Sequence, residues 1–276
     1  MKPNSPPTKL EILVHSQQHE TSQTPLLFVH GGFTSAWCWG EHYLPFFAAA
    51  GFAALAVSLS GHGGSRGREH LDTLSIDDYV SDLCEVVDAL PVAPALIGHS
   101  MGGFVVQKYL EQRTAPAAVL MCSVPPQGLM SSAMELMLSR PSMLNDLNRI
   151  MAGSKNGMEP LRDAMFAQPI SPDSMMRVYH HAQPESYRAL WDMTLLNLPR
   201  LSHVTRTPLL VMGAALDQLI PRSSVETTAR TYGVGAKIFP GMGHCLMLER
   251  DWRKPAECIL SWLAQRGLML QNGKRK

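Results

Sequence analysis

The sequence predicts an α/β protein built on a doubly wound, mostly parallel sheet, with a helical segment inserted between two of its strands. Short apolar runs bounded by glycine or proline recur along the 276-residue chain. Such runs are typical of strands buried on both faces of a parallel sheet. Stretches of helical periodicity lie between them, and this alternation indicates crossover helices. The expected strands cover residues 10–14, 25–30, 52–59, 95–98, 117–122, 207–213 and 236–239.

The clearest helical pattern covers residues 75–90. Its apolar residues are spaced three and four positions apart, which places them on one face of a helix. Ser75 precedes Asp78 by three positions, a spacing that predicts a capping box at the start of this helix. Residues 101–111 and 255–266 carry similar patterns and are the next predicted helices.

The alternation of strands and helices is interrupted between residues 125 and 202. This stretch contains short helical patterns but no apolar run that resembles a buried strand, and the alternation resumes at Thr207. We therefore expect residues 1–124 and 203–276 to form the core of the molecule. Residues 125–202 are expected to form a helical cap over one end of the sheet.

The composition narrows the possible functions. Hydrophobic residues make up 45% of the chain and charged residues 17%, with a formal net charge of +1. No strong electrostatic field is available to recruit nucleic acid or a membrane surface. The five cysteines are scattered and odd in number, which argues against a disulfide framework or a structural zinc site. The N-terminal stretch does not resemble an apolar leader, and no apolar stretch is long enough to span a membrane. We therefore expect a cytoplasmic monomer or homodimer without nucleic-acid partners.

A serine lies among glycines immediately after a predicted strand. Residues 98–102 read Gly-His-Ser-Met-Gly, and a helix is predicted to follow. A strand-to-helix turn this tight strains the backbone of Ser100 and requires small residues at Gly98 and Gly102. The hydroxyl then projects above the carboxyl edge of the sheet, where loops carry chemistry. An ordinary loop serine is the alternative, but the strand–turn–helix context favours a nucleophile.

A serine nucleophile needs a base, and the base needs an acid that orients it. Among eleven histidines, His244 is the one that follows a predicted strand late in the chain, in a glycine-rich loop. Asp217 follows the strand predicted at residues 207–213 and is the acid that we predict. Asp251, which lies beyond the histidine, is a weaker alternative. The predicted catalytic residues are therefore Ser100, Asp217 and His244.

A second glycine-rich loop follows the strand predicted at residues 25–30. It reads His30-Gly-Gly-Phe33, and its glycines would allow backbone N–H groups to approach a substrate closely. Such donors stabilise the oxyanion that forms when a nucleophile attacks a carbonyl. We predict Gly32 or Phe33 as one donor and Met101, at the start of the following helix, as the other. A plain glycine turn is the alternative.

The order of these motifs along the chain resembles that of serine hydrolases of the α/β-hydrolase fold, of the esterase and lipase type with a helical cap. The stretch at residues 33–39, Phe-Thr-Ser-Ala-Trp-Cys-Trp, resembles the branches that act on small esters, methylesterases among them. The resemblance implies hydrolysis of a carboxylic ester or thioester through an acyl-enzyme, with no metal or other cofactor. The matching residues are His30–Gly32, Gly61–Ser65, Gly98–Gly102, Gly213–Asp217 and Gly243–His244.

Other activities of the same fold stay open. Carbon–carbon bond hydrolases often carry Asn and Trp where this chain has His99 and Cys245, which makes that activity less favoured without excluding it. Acyl transfer and non-catalytic ligand reception are further alternatives. A receptor has no need for all three residues of the triad, so an intact Ser100, Asp217 and His244 favours an enzyme.

Ten of the 17 methionines lie in residues 125–202. Methionine fills irregular apolar space and adapts to varied ligands, so some of these residues are expected to line an acyl or alkyl pocket. The alternative is that they only pack cap helices onto the sheet. The predicted substrate-binding residues are Trp37, Met130, Met134 and Leu219, and the expected partner is a small or medium apolar ester.

Overall fold

A seven-stranded sheet forms the centre of the molecule. The computed structural model describes residues 9–16, 24–130, 134, 158–204 and 207–269. Within them the strands lie in the order β1-β3-β2-β4-β5-β6-β7, and every pairing is parallel except that of β1 with β3. This confirms the predicted fold class. The strands are β1 (Ile12–His15), β2 (Leu26–Val29), β3 (Ala54–Val57), β4 (Ala95–His99), β5 (Ala118–Met121), β6 (Leu209–Ala214) and β7 (Ala236–Phe239).

Helices connect the strands and cover the sheet. Between β5 and β6 the described residues form helices, turns and loops and contain no strand, as the sequence predicts for this region. None of the helices in the described ranges is both long and apolar enough to cross a membrane. The α-helices are α1 (Trp37–Gly40), α2 (Tyr43–Ala49), α3 (Ile76–Ala89), α4 (Met101–Tyr109), α5 (Met158–Met165), α6 (Pro172–His181), α7 (Tyr187–Trp191), α8 (Arg222–Thr231) and α9 (Arg253–Gln265), with a π-helix at Asp192–Leu196 and 3₁₀ helices at Arg68–Thr73 and Leu201–His203.

The predicted capping box begins α3. The Ser75 hydroxyl accepts a hydrogen bond from the Asp78 N–H at 3.2 Å, and the Asp78 carboxylate accepts one from the Ser75 N–H at 2.8 Å. The side chain of each residue thereby accepts a hydrogen bond from the backbone N–H of the other at the start of the helix. The sequence pattern therefore located the start of α3 correctly.

The core has two layers, one on each face of the sheet. Leu26 and Phe28 of β2 belong to a buried cluster with residues of α1, α2 and α9. Leu27 and Val29 of the same strand belong to a second cluster with residues of α3, α4 and α8. Because successive side chains of a strand point to opposite faces, β2 contributes to both layers and is buried along its whole length.

β1 departs from the expectation of a strand buried on both faces. It lies at the edge of the sheet, runs antiparallel to β3, and leaves Val14 57% exposed. An edge strand has a neighbour on one side only, and a short apolar run does not reveal whether a strand is central or at an edge. The functional loops do not depend on β1, since they follow β2, β4, β6 and β7.

Candidate active site

Ser100 occupies the sharp turn between β4 and α4. Its backbone has φ 52° and ψ −117°, a conformation that is costly for a residue with a side chain, by about 1–3 kcal/mol. Hydrogen bonds hold this turn in place: the Ser100 N–H donates to the Met121 carbonyl at 3.0 Å, and the Ser100 carbonyl accepts from Val124 at 3.2 Å. The strained conformation is therefore imposed by the neighbouring strand β5 and the loop that follows it.

The two glycines that flank the serine are required by close backbone packing. A Cβ atom on Gly98 would lie 2.4 Å from the Gly102 carbonyl oxygen, and one on Gly102 would lie 2.3 Å from the Val29 carbonyl oxygen. Neither backbone atom can move aside without displacing β2 or α4. The spacing of the Gly-x-Ser-x-Gly motif thus follows from how tightly α4 packs against the strands.

His244 and Asp217 meet at the carboxyl ends of adjacent strands. The Asp217 Oδ2 atom lies 2.8 Å from the His244 Nδ1 atom, and both side chains are buried. The other oxygen, Oδ1, accepts hydrogen bonds from the N–H groups of Leu219 and Ile220, each at 2.8 Å. These donors orient the carboxylate, which in turn orients the imidazole so that Nδ1 donates and Nε2 can accept a proton.

The weaker candidate for the acid lies elsewhere. The Asp251 carboxylate pairs with the Lys254 ammonium group at 2.6 Å, and its backbone N–H donates to the Gln168 side chain. Of the two aspartates that the sequence left open, the structure brings Asp217 to His244. We therefore keep Asp217 as the acid in the proposal below.

His99 joins the serine turn to the histidine loop. Its Nε2 atom donates to the His244 carbonyl at 3.0 Å, and the two ring centroids are 4.7 Å apart. Burial and the neighbouring His244 hold the pKa of His99 well below its usual value, so the ring is neutral. The residue before Ser100 thus positions the backbone of His244, a contact that nothing in the motif predicts.

Three side chains at this place could in principle hold a metal ion. Among the described residues, the ligand atoms of His99, Cys122 and His244 lie within 4.8 Å of one another. Burial raises the pKa of the Cys122 thiol well above its usual value, which disfavours the thiolate that a metal needs. We assign no metal to this group, and a metal-free site stays a prediction.

The glycine-rich loop after β2 is tethered by His30. The His30 Nε2 atom accepts from the Leu59 N–H at 3.0 Å, so the proton lies on Nδ1, which faces the Gly31 carbonyl at 2.7 Å. Burial and the nearby His62 lower the pKa of His30 to about 3, which keeps the ring neutral. Because the C=O and N–H of a trans peptide point in opposite directions, the Gly32 N–H is turned away from His30.

Phe33, the next residue, has its N–H directed towards a carboxylate. The distance from the Phe33 nitrogen to Glu185 Oε2 is 3.4 Å, and the Phe33 carbonyl accepts from the Gln183 N–H at 3.0 Å. Phe33 also has φ 64°, a left-handed conformation. Since the Phe33 N–H has a protein acceptor, Gly32 is the donor that we retain from the predicted pair, together with Met101 at the start of α4.

The predicted pocket residues fall into two groups. Trp37 is half-buried and stacks on His181 of α6, with ring centroids 4.5 Å apart, while Leu219 is half-buried and holds Asp217 through its N–H. Met130 and Met134 are 45% and 51% exposed. Half of each of these methionine side chains faces solvent, so neither is enclosed in an apolar pocket, and their role in substrate binding stays a prediction.

Two methionines of the inserted segment act as packing residues, which is the alternative that the sequence left open. Met193 is buried in the core cluster that includes α3 and α4. Met175 packs with Phe166 against Cys245, the residue after His244. Met137, Met143 and Met151 lie outside the described residues.

A buried glutamate that the sequence did not single out holds the His244 loop. Glu249 accepts hydrogen bonds from the N–H groups of Gly243 at 2.7 Å, Ala167 at 2.8 Å and Gln168 at 3.1 Å. Gly243 directly precedes His244, and the other two residues belong to the inserted segment. Glu249 therefore ties the loop of His244 to that segment.

Comparisons with known proteins agree with this architecture. An esterase from Exiguobacterium antarcticum superposes with a TM-score of 0.69 at 18% identity, covering 92% of this chain and 96% of that one. Methylesterase 3 of Arabidopsis thaliana is 22% identical over 244 residues, which make up 85% of this chain and 83% of that protein. Protein phosphatase methylesterase 1 of Bos taurus is 27% identical over 157 residues, but the match spans only 41% of that protein's length.

The family assignment rests on the greater part of the chain. Residues 26–257 match the Alpha/beta hydrolase family. This range runs from β2 to within α9, so it includes the serine turn, the glycine-rich loop, Asp217 and His244. The chain therefore belongs to the Alpha/beta hydrolase family.

Proposed function

We propose that the protein is a serine hydrolase that cleaves a carboxylic ester or thioester of a small to medium apolar substrate. The observation that carries the proposal is the 2.8 Å contact of Asp217 with His244, on loops that border the strained turn of Ser100. Two relatives are named methylesterases and one structural neighbour an esterase, which supports the same reaction class.

In the proposed reaction Ser100 is the nucleophile and His244 the base. The Ser100 oxygen attacks the carbonyl carbon of the ester while His244 Nε2 takes the hydroxyl proton, and Asp217 stabilises the resulting imidazolium. The N–H groups of Gly32 and Met101 bind the oxygen that becomes negative. Collapse of this intermediate breaks the bond to the leaving alcohol, which receives the proton from His244.

The second half of the reaction releases the acid. His244 Nε2 takes a proton from a water molecule, whose oxygen attacks the acyl carbon bound to Ser100. The same two N–H groups bind the second oxyanion. When the bond to Ser100 breaks, the serine oxygen recovers its proton from His244, and the carboxylic acid leaves.

We further propose that residues 125–202 form a cap that supplies the apolar side of the binding site. Trp37 stacks on His181 of this segment, and Met165 and Met175 lie beside the residue that follows His244. An apolar site adds about 0.8 kcal/mol of binding for each methylene that it buries. The p-nitrophenyl esters should therefore show kcat/KM rising with acyl length until the site is full.

Labelling with a fluorophosphonate tests the nucleophile. We expect a single adduct on Ser100, and Ser100→Ala should lose the label and lower kcat/KM by about 10³-fold or more, as removal of a triad nucleophile does. Ser81→Ala is the matched control, because Ser81 lies exposed on α3 and bonds only the Asp77 carbonyl. An adduct on another residue, or full activity of Ser100→Ala, would contradict the proposal; ligand binding without acylation would favour a receptor.

A further inference from the structure

The segment at residues 183–186 reaches from the inserted segment into two loops of the core. Its Gln183 N–H donates to the Phe33 carbonyl at 3.0 Å, and the Gln183 side-chain oxygen accepts from the Gly63 N–H at 3.1 Å. The Ser186 hydroxyl donates to the Leu74 carbonyl at 2.5 Å. Between these contacts the Glu185 side chain enters the protein and is fully buried.

Among the described residues, the polar partners of the Glu185 carboxylate are placed as hydrogen-bond donors. Oε1 accepts from the Tyr79 hydroxyl at 2.8 Å and from the Ser186 N–H at 2.8 Å. Oε2 faces His62 Nε2 at 3.1 Å and the Phe33 N–H at 3.4 Å. The two peptide N–H groups can only donate, and four donors around one carboxylate stabilise its ionised form, in line with its lowered pKa.

The ring of His62 requires the complementary charge. Its Nδ1 atom lies 3.0 Å from the Ser60 carbonyl oxygen and its Nε2 atom lies 3.1 Å from Glu185. The Ser60 carbonyl requires hydrogen on Nδ1, and hydrogen on Nε2 opposite the ionised Glu185 makes the ring an imidazolium, in line with its raised pKa. His62 and Glu185 thus form an ion pair whose two side chains are 0% exposed.

The pKa shifts of the pair have the matching directions. Burial opposes charge on His62, but the Glu185 carboxylate and the hydrogen bonds to both ring nitrogens outweigh it and raise the pKa of His62. Burial likewise opposes charge on Glu185, and His62 with the other donors outweighs it and lowers the pKa of Glu185. The neighbouring His30 is neutral, and Arg68 lies close enough to reduce the shift of His62.

The carboxylate lies directly against the glycine-rich loop. A Cβ atom on Gly32 would be 3.3 Å from Glu185 Oε2, so the carboxylate borders the peptide that joins Gly32 to Phe33. Phe33 keeps its left-handed backbone while its N–H faces Glu185 and its carbonyl accepts from Gln183. The segment at residues 183–186 therefore constrains both peptide groups of Phe33.

We infer that Glu185, paired with His62, is a positioning residue that holds Gly32 and Phe33 so that the Gly32 N–H faces the reacting carbonyl oxygen. The inference rests on the proposed function, because it assigns Gly32 to the oxyanion. It makes the geometry of the oxyanion site depend on the inserted segment, since Glu185 belongs to that segment. A loop held less firmly would bind the substrate as before but stabilise the oxyanion less well.

Glu185→Gln tests this role, because it keeps the shape of the side chain and removes its charge. We expect kcat to fall about 10- to 100-fold, somewhat less than on outright loss of an oxyanion donor, with KM changed less than threefold. The affinity for an alkylboronic acid, which forms a tetrahedral adduct on serine, should fall in parallel with kcat/KM. Gln183→Ala is the control, because it cuts the side-chain contacts to Gly63 and Arg68 but keeps the carboxylate.

Three further measurements keep the test decisive. Tyr79→Phe removes one donor to Glu185 and keeps the aromatic packing, so it should lower kcat a few-fold even if Glu185→Gln does not fold. In ¹⁵N-labelled wild-type protein at pH 7, His62 should show both ring nitrogens protonated, and amide exchange at Phe33 should accelerate at least tenfold in Glu185→Gln.

The outcomes separate this inference from the proposed function. A wild-type protein that neither hydrolyses esters nor labels at Ser100 would overturn the proposed function, whatever the state of His62. An active wild type whose Glu185→Gln variant keeps kcat, or keeps Phe33 exchange unchanged, would overturn the inference. A rise in KM with kcat preserved would also overturn it, since that result places Glu185 in substrate binding.

Discussion

Two buried glutamates connect the inserted segment to the core, and they are satisfied in different ways. Glu185 belongs to the inserted segment and meets a cation, His62, together with a hydroxyl and two peptide N–H groups. Glu249 belongs to the core and meets three peptide N–H groups, from Gly243 and two residues of the inserted segment. The first borders the proposed oxyanion loop and the second borders the loop of His244.

The difference shows two ways to keep a carboxylate buried. Peptide N–H groups solvate Glu249 with fixed dipoles that do not titrate, whereas His62 can lose its proton. Removing one member of a buried ion pair leaves an uncompensated charge, while removing one peptide contact leaves the others in place. The Glu185 site should therefore be more sensitive both to substitution and to pH.

The largest loss in the free energy of unfolding is expected from His62→Leu. This change leaves Glu185 buried without its cation, and the loss of one partner of such a pair costs about 3–5 kcal/mol of the free energy of unfolding. Urea unfolding measures it. The double variant His62→Leu with Glu185→Leu should be more stable than His62→Leu alone, because it buries no unpaired charge. If the double variant loses the sum of both single losses, the two side chains do not act as a pair.

A smaller loss in the free energy of unfolding is expected from Glu249→Gln. The amide oxygen can replace Oε1, which accepts from Gly243 and Ala167, but the amide NH₂ group then faces the Gln168 N–H. One unsatisfied donor costs about 1–3 kcal/mol of the free energy of unfolding. Glu226→Gln is the control, since its surface pair with Arg222 should contribute less than 1 kcal/mol. Equal losses in the two variants would contradict a structural role for Glu249.

The smallest change in the free energy of unfolding is expected from a change of pH. The raised pKa of His62 means that its contribution is complete below about pH 6.5 and is lost as pH rises through the folded-state value. The lowered pKa of Glu185 means that its contribution is present above about pH 4.3 and is lost as pH falls through its own folded-state value. The pair therefore stabilises the protein most between about pH 4.3 and about pH 6.5, where both contributions are complete.

The alkaline side of this window distinguishes the two glutamates. Between pH 6 and pH 9 the free energy of unfolding of the wild type should fall relative to that of a His62→Gln, Glu185→Gln double variant, because His62 loses its proton as pH rises through its raised pKa. Relative to Glu249→Gln, the wild type should show no such loss, because both proteins keep the pair of His62 and Glu185. Parallel pH curves for all three proteins would mean that His62 is not charged in the folded state.

The predictable features are those that a short stretch of sequence controls. The glycines at positions 98 and 102 predicted the strained turn of Ser100. A side chain on Gly98 would meet the backbone of Gly102, and one on Gly102 would meet the backbone of β2. The Ser75 and Asp78 pair predicted the start of α3 for the same local reason. Ser100, Asp217 and His244 each follow a strand, and this position placed them at one edge of the sheet because parallel strands bring their carboxyl ends together.

The sequence by itself thus determined the fold class, the turn of Ser100 and the start of α3, and it nominated the candidate nucleophile, acid and base. Tertiary structure alone decided the order of the strands, the edge position of β1 and the partners of Glu185, Glu249 and His99. His62 and Glu185 are 123 positions apart and His99 and His244 are 145 apart. A local pattern carries no information about contacts between such distant residues, because they form only when the inserted segment and the β7 loop pack against the sheet.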